Sequence, residues 1–299
     1  MEIINIDAQK LTDIKENKIN LVLGFFDGVH LGHQKMILDS IKNYETGVMT
    51  FDISPKFAIG KDIRYSHITS LYDKANILEK LGVKYLYVLR VNKELLSLEK
   101  IDFIEKILKR INPKTIYAGS DYRFGKNASG DISLLKNYFE VNEYPLVKID
   151  DKKVSSREIR NLIGEGEMKE VNKLLGRPYQ ITGLVVEGKH NGEKIGFPTA
   201  NLELNFPYVL PKLGVYTGYV KLLNSRYKAI ISMSTHPTIQ ELNDPIIEVH
   251  LLSYKGDLYG KEIEVQFVEY IREIKKFASM DELASQLEKD REYAKNSLK

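Results

Sequence analysis

Near Gly176 the hydrophobic pattern changes its period, and that change constrains the fold more than any other feature of the 299-residue chain. Before it, short apolar runs alternate with stretches of helical spacing. Residues 21–26 form an apolar run closed by Asp27 and Gly28, as in a buried strand. Residues 31–44 place Met36, Ile37 and Ile41 on one helical face. Residues 70–81 do the same with Leu71, Ala75, Ile77 and Leu78 and stop at Gly82. Residues 47–51, 84–89 and 115–118 read as strands, and 101–111 as a helix ending before Pro113. Such alternation predicts an α/β doubly wound, mostly parallel sheet. Two short helices are expected over 155–163 and 167–175. Beyond Gly176 the period becomes two, over 179–186, 215–222, 227–232, 246–252 and 263–270, with turn residues between. That spacing predicts a small antiparallel β-barrel or sandwich, closed by a charged amphipathic helix over 280–298. The expected domains are 1–176 and 177–299, each long enough to bury its own core.

Several function classes drop out. The chain has no cysteine, which excludes disulfides, thiolate metal sites and cysteine nucleophiles. A net charge of +3, with the basic residues scattered, argues against a nucleic-acid partner. The apolar runs fall far short of the ~20 residues of a membrane span, and the first ten residues carry no apolar signal core. The expected location is the cytoplasm. Composition says nothing about oligomeric state.

Two segments carry candidate chemistry. The first is Gly24-Phe25-Phe26-Asp27-Gly28-Val29-His30-Leu31-Gly32-His33, at a strand-to-helix junction where α/β sheets bind ligands. Free N–H groups and the positive dipole end of the helix make such a junction an anion site. His30 and His33 add donors across Gly32, where a backbone without Cβ permits close approach of a polyphosphate. Paired imidazoles at a helix terminus suit nucleotidyl transfer, in which charge grows on phosphoryl oxygens.

The second segment runs from Gly188 through Gly192 and Gly196 to Phe197-Pro198-Thr199-Ala200-Asn201. Its glycines allow a tight turn whose amides surround a phosphate. Thr199 and Asn201 offer hard oxygen ligands suited to Mg²⁺. In 246–252 the alternation puts Glu248 and His250 on one face of a strand. Ser155 and Ser156 can cap the helix they precede, and Arg160 can reach phosphate from it.

These motifs resemble a known family. Phe-Asp-Gly-Val-His-Leu-Gly-His over 26–33 is similar to the nucleotidyltransferases of the His-x-Gly-His type, and more narrowly to bacterial FAD synthetases. Gly119-Ser-Asp121-Tyr-Arg-Phe-Gly125, Gly130-Asp-Ile-x-Leu-Leu135 and Val154-Ser-Ser-Arg-Glu-Ile-Arg160 continue that likeness in order. Gly-Phe-Pro-Thr-Ala-Asn over 196–201, with 176–183, 211–216 and Glu248 before Val-His-Leu, resembles riboflavin kinases. The chain departs from the family pattern at Phe25 (usually Asn), at Arg157 (usually Thr), in Thr-Phe-Asp-Ile-Ser-Pro over 50–55, and at Ser232-Met233-Ser234 (usually Asn-Ile-Gly). Pro237 and Thr238 are kept.

The resemblance implies a bifunctional enzyme making FMN from riboflavin and ATP, then FAD and pyrophosphate from FMN and ATP, both with Mg²⁺. It implies that His30 and His33 stabilise adenylyl transfer. Gly24, Phe25, Asp27, Gly32, Asp121, Ser155, Ser156 and Arg160 would contact nucleotide or phosphate. In the kinase, Gly188, Gly192, Gly196 and Thr199 would hold ATP, Thr199 and Asn201 the metal, and Glu248 would be the base. A homologue keeping one activity, or a flavin-binding regulatory protein on the same scaffold, remains an alternative.

Overall fold

The computed structural model describes residues 1–10, 18–58, 60, 66–145, 147–149, 152–188, 196–223, 225–235 and 245–299. Gly192, Pro237 and Thr238 lie outside these residues. The chain divides into two compact units, Met1–Ser156 and Arg157–Lys299.

The first unit contains β1 (Glu2–Ile6), β2 (Asn20–Leu23), α1 (Leu31–Ile41), β3 (Thr46–Phe51), α2 (Pro55–Ala58), α3 (Leu71–Lys80) and β4 (Tyr85–Leu89). There follow α4 (Lys93–Ser97), α5 (Lys100–Phe103), a π-helical turn over Ile104–Leu108, α6 (Lys109–Ile111), β5 (Thr115–Gly119), α7 (Ile132–Lys136) and β6 (Val141–Tyr144). A two-strand hairpin closes the unit, β7 (Lys148–Ile149) with β8 (Lys152–Lys153). The large sheet has the order β1-β4-β3-β2-β5-β6, and every pairing in it is parallel. From β2 the chain winds to β3 and β4 on one side and to β5 and β6 on the other. The loop after β2 therefore opens at the point where winding reverses, the usual ligand position in such sheets. Two apolar clusters cover the two faces. One joins Leu21, Leu23 and Ile116 to Ile104, Ile107 and Leu108. The other joins Val22, Val48 and Val88 to Met36, Ile37 and Leu78.

Strand β2 ends at Leu23, short of the 21–26 run expected from hydrophobicity. Phe26 and Val29 have φ of 54° and 40°, which no strand residue adopts, and both side chains turn into the core. The helix expected over 70–81 is α3, capped by a reciprocal pair between Ser70 and Asp73. The sequence reading missed β1, an edge strand of mostly exposed residues, and the short β6.

In the second unit α8 (Ser156–Glu165) and α9 (Met168–Leu175) precede β9 (Tyr179–Val186), β10 (Ala200–Glu203), β11 (Gly214–Leu222), β12 (Ser225–Thr235), β13 (Pro245–Leu251), β14 (Glu262–Arg272) and α10 (Met280–Ser297). The six strands close into an antiparallel barrel, β10-β13-β12-β11-β14-β9. Alternate residues fill its interior, among them Ile181, Ile231, Val249, Val265 and Phe267. Helix α9 packs on the barrel, where Asn172 donates to the Phe267 carbonyl (2.9 Å) and accepts from the Tyr179 N–H (2.7 Å). Outside the barrel Ala294 and Leu298 pack on Val215, Tyr219 and Ile230. The Arg272–Asp290 pair (2.6 Å) ties α10 to β14.

Candidate active sites

The first site is a loop held from several sides. Asp27 is 1% exposed, and its Oδ1 accepts the backbone N–H groups of Ile68 (2.9 Å) and Thr69 (3.2 Å). The Thr69 hydroxyl accepts from the Gly28 N–H (3.0 Å), and the Ser156 hydroxyl donates to the Asp27 carbonyl (2.8 Å). Buried backbone groups that would otherwise lack partners are thus satisfied. Asp27, read from sequence as a nucleotide contact, spends one carboxylate oxygen on fixing the loop. Ser156, read as a helix cap, reaches the same loop.

His30 is the N-cap of α1, and its Nδ1 accepts the His33 backbone N–H at 3.3 Å. That acceptor role places the proton of a neutral His30 on Nε2. The His30 and His33 rings stack with centroids 3.6 Å apart and planes at 15°, and Phe26 meets His33 edge-on at 5.1 Å. Burial first, then His30 and Lys74, hold the His33 imidazole well below its usual pKa. His33 Nδ1 is buried and has no hydrogen-bond partner among the described residues. A Cβ on Gly32 would come within 3.1 Å of His30 Nδ1, so the glycine leaves room for the imidazole stack. A Cβ on Gly24 would lie 2.7 Å from the Phe26 ring.

Lys74 and His67 escaped the sequence reading. Lys74 occupies a stripe position of α3, three residues after Leu71 and four before Leu78. A cation inside an apolar stripe was the available signal. Its ammonium donates to the Phe25 carbonyl (2.7 Å) and the Thr50 hydroxyl (3.0 Å). The buried His67 ring meets Phe25 and Phe57 edge-on at 6.0 and 5.7 Å and accepts the Ser54 N–H at 3.3 Å. Asp121 is exposed at the end of β5, and Ser155 is half-buried beside Ser156. Arg157 and Arg160 belong to the second compact unit.

In the barrel Glu248 on β13 lies directly opposite Asn201 on β10 and, on its other side, opposite Ser232 on β12. Directly opposed residues point to the same face, and their neighbours Leu202, Ile231, Ile247 and Val249 fill the interior. Asn201, Glu248 and Ser232 therefore form a row on the outer surface. His250 Nδ1 sits 2.8 Å from the Pro198 carbonyl, and its ring packs on Phe197 at 5.3 Å. The Arg291 guanidinium of α10 lies 5.3 Å from the Phe197 ring centroid. The turn carrying Thr199 is thereby tied to the strand carrying Glu248. Burial lowers the His250 pKa, the Pro198 bond opposes that, and Arg291 lowers it further.

The glycines of this turn do different jobs. Gly196 has φ of 77° with open space around it, a backbone requirement. A Cβ on Gly188 would collide with the Asn201 side-chain amide, a requirement for room. Thr199 and Asn201 present a hydroxyl and an amide oxygen. Among the described residues no group of three or more His, Asp or Glu could hold a metal. Two neutral hard donors without a carboxylate cage fit Mg²⁺, which keeps most of its waters and binds alongside substrate phosphates.

Comparison with known proteins identifies the family. An FAD synthetase family model matches residues 13–158, and a riboflavin kinase model matches 175–298. The chain is 37% identical over 297 residues to a bifunctional riboflavin kinase/FMN adenylyltransferase of Listeria monocytogenes, covering 95% of this chain and 93% of that protein. It is 36% identical to a protein of that description from Bacillus subtilis (94% and 93% covered) and 32% identical to one from Escherichia coli (90% of each). A crystal structure described as a macrolide-efflux protein from Streptococcus pneumoniae superposes with a TM-score of 0.89 at 35% identity, covering 98% of this chain and 99% of that one. Among the described residues no helix is long and apolar enough to cross a membrane. With both family models matched in order and the likeness running nearly end to end, the chain belongs to the bifunctional riboflavin kinase/FMN adenylyltransferase family, which phosphorylates riboflavin to FMN and adenylylates FMN to FAD with ATP.

Proposed function

We propose that the adenylyl transfer is carried by the loop after β2 within residues 1–176, and the kinase step by the Thr199 turn and β13 within 177–299, in the cytoplasm. The observation that carries the kinase assignment is the register pairing of Glu248 with Asn201. It sets a carboxylate opposite Asn201, and the bond from His250 to the Pro198 carbonyl ties down the turn that carries Thr199. Glu248 accepts the proton of the terminal ribityl hydroxyl as that oxygen attacks the γ-phosphorus of ATP and ADP leaves. Gly188, Gly192, Gly196 and Thr199 hold the phosphates. Thr199 and Asn201 would hold Mg²⁺, which when bound neutralises charge on the phosphates.

In the first site the FMN phosphate oxygen attacks the α-phosphorus of ATP and pyrophosphate departs. His30, His33 and the α1 terminus stabilise charge on the reacting phosphoryl group. The buried His33 Nδ1 supplies an unfilled position for such a contact. Gly24, Phe25, Gly32, Asp121 and Ser155 line the nucleotide, while Asp27 and Ser156 act by fixing the loop.

The test is chromatography of products. Riboflavin with Mg·ATP should yield FMN then FAD, FMN with Mg·ATP should yield FAD, and chelation should stop both. Glu248→Gln should stop only the first step. A Glu248→Gln chain that still phosphorylates riboflavin at the wild-type rate removes the assignment of the base. FAD formation from FMN without any FMN formation from riboflavin would select the single-activity alternative.

A further inference from the structure

Lys74 is 2% exposed, an uncommon position for an ammonium unless it is paired. Its Nζ donates to the Phe25 carbonyl at 2.7 Å and to the Thr50 hydroxyl at 3.0 Å, while that hydroxyl donates to the same carbonyl at 2.8 Å. The charge also lies 4.5 Å from the centroid of the Phe25 ring, within cation–π range. Strand β3, helix α3 and the loop thus converge on one backbone oxygen, immediately before the bend at Phe26 that starts the descent to His30. Packing alone does not call for a cation there. A Leu or Met would continue the apolar stripe of α3 without the cost of desolvating a charge.

We propose that Lys74 is a positioning residue for adenylyl transfer: it fixes the Phe25 carbonyl, and with it the course of the chain from β2 to His30 and His33, and in its protonated form it presents a positive charge to that pair. The proposal rests on the assignment of adenylyl transfer to His30 and His33, which their own substitution tests separately. A rigid approach matters because displacement of a reacting group by about 1 Å costs on the order of 100-fold in rate.

Among the described residues, Asp27 from the loop and His33 from α1 interact with the Lys74 charge, and His67 meets the Phe25 ring edge-on. Desolvation lowers the Lys74 pKa to about 8, with Asp27 opposing that shift, and Lys74 in turn helps keep His33 neutral. Loss of the Lys74 proton leaves an amine that still donates a hydrogen bond but has lost its charge. Adenylyl transfer should therefore weaken on the alkaline side while the kinase step does not.

The experiment measures kcat and KM for FAD formation from FMN and Mg·ATP with the full chain across pH, for wild type, Lys74→Met and Lys74→Arg. The wild-type kcat is expected to fall through a midpoint near pH 8. Lys74→Met should lower kcat roughly 10- to 100-fold with little change in KM for ATP. Lys74→Arg, whose guanidinium keeps its proton, should retain activity and lose the alkaline fall. A wild-type kcat that stays level through pH 8 overturns the proposal and needs no variant to fold. An alkaline fall that persists unchanged in Lys74→Arg overturns it too, as does a Lys74→Met chain with wild-type kcat. Loss of activity in His30→Ala alongside any of these results would leave the site assignment standing and remove Lys74 alone.

Discussion

The imidazoles of His30 and His33 lie face to face, 3.6 Å between centroids, while His30 Nδ1 caps the backbone N–H of His33. One histidine thus serves as helix cap and ring partner at once, which ties the geometry of the pair to the first turn of α1. Replacing His33 with Ala should lower FAD formation from FMN by roughly 100- to 1,000-fold, the scale for losing one donor to a phosphoryl or oxyanion centre. Riboflavin phosphorylation by the same chain should be unchanged. Single-turnover assays of each step check both halves.

His33 also couples stability to pH. Its folded pKa lies well below 6.5, so the unfolded chain takes up a proton through the usual imidazole range that the native ring excludes. Stability from this group is full above that range and lost as pH falls below about 6.5. Urea unfolding of wild type and His33→Asn, followed from neutral to mildly acid pH, should show a fall in the wild type that is smaller in the variant.

Lys74 acts with the same sign in an alkaline window. Its folded pKa of about 8 against 10.5 in the unfolded chain means the native state holds fewer protons between those values. Stability of wild type relative to Lys74→Met should rise as pH is raised through that interval, by about 3 kcal/mol at most. Paired denaturant titrations at neutral and alkaline pH measure it.

Gly188→Ala separates the two activities. Its methyl would collide with the Asn201 amide, which lies opposite Glu248, and displace it. The kinase step should fall by about tenfold or more, at a stability cost on the order of 1–3 kcal/mol for overpacking. FMN adenylylation should be untouched. Product chromatography with each substrate resolves the two rates.

His250→Ala removes the tie to the Pro198 carbonyl, and His250→Asn can restore a donor close to the position of Nδ1. The Ala variant should need more Mg·ATP for half-maximal kinase rate, and the Asn variant should recover part of that loss. Equal impairment in both would mean that ring packing on Phe197, rather than the hydrogen bond, matters.

The change of period near Gly176 made both architectures legible, because parallel strands buried on two faces and barrel strands buried on one leave different spacings. The adenylylation loop and the Thr199 turn were legible as motifs. What escaped depended on contacts distant in sequence. Asp27 is satisfied by Ile68 and Thr69, some forty residues away, so its spacing gave no hint that it anchors backbone. Gly188 read as part of a tight phosphate-holding turn, whereas Asn201 sets its size limit. The end of β2 was misplaced because hydrophobicity records that Phe26 is buried but not the sign of its φ.

The uninterrupted ring of strands in the second unit has a mechanical corollary. No strand there is outermost, so amide protons cannot be released by peeling one from an edge, and exchange with solvent must await opening of the entire ring. In the parallel sheet, β1 and β6 each have one flank unpaired among the described residues, and fraying can start at either. Deuterium labelling should therefore enter the adenylylating half strand by strand and the phosphorylating half in a single cooperative event.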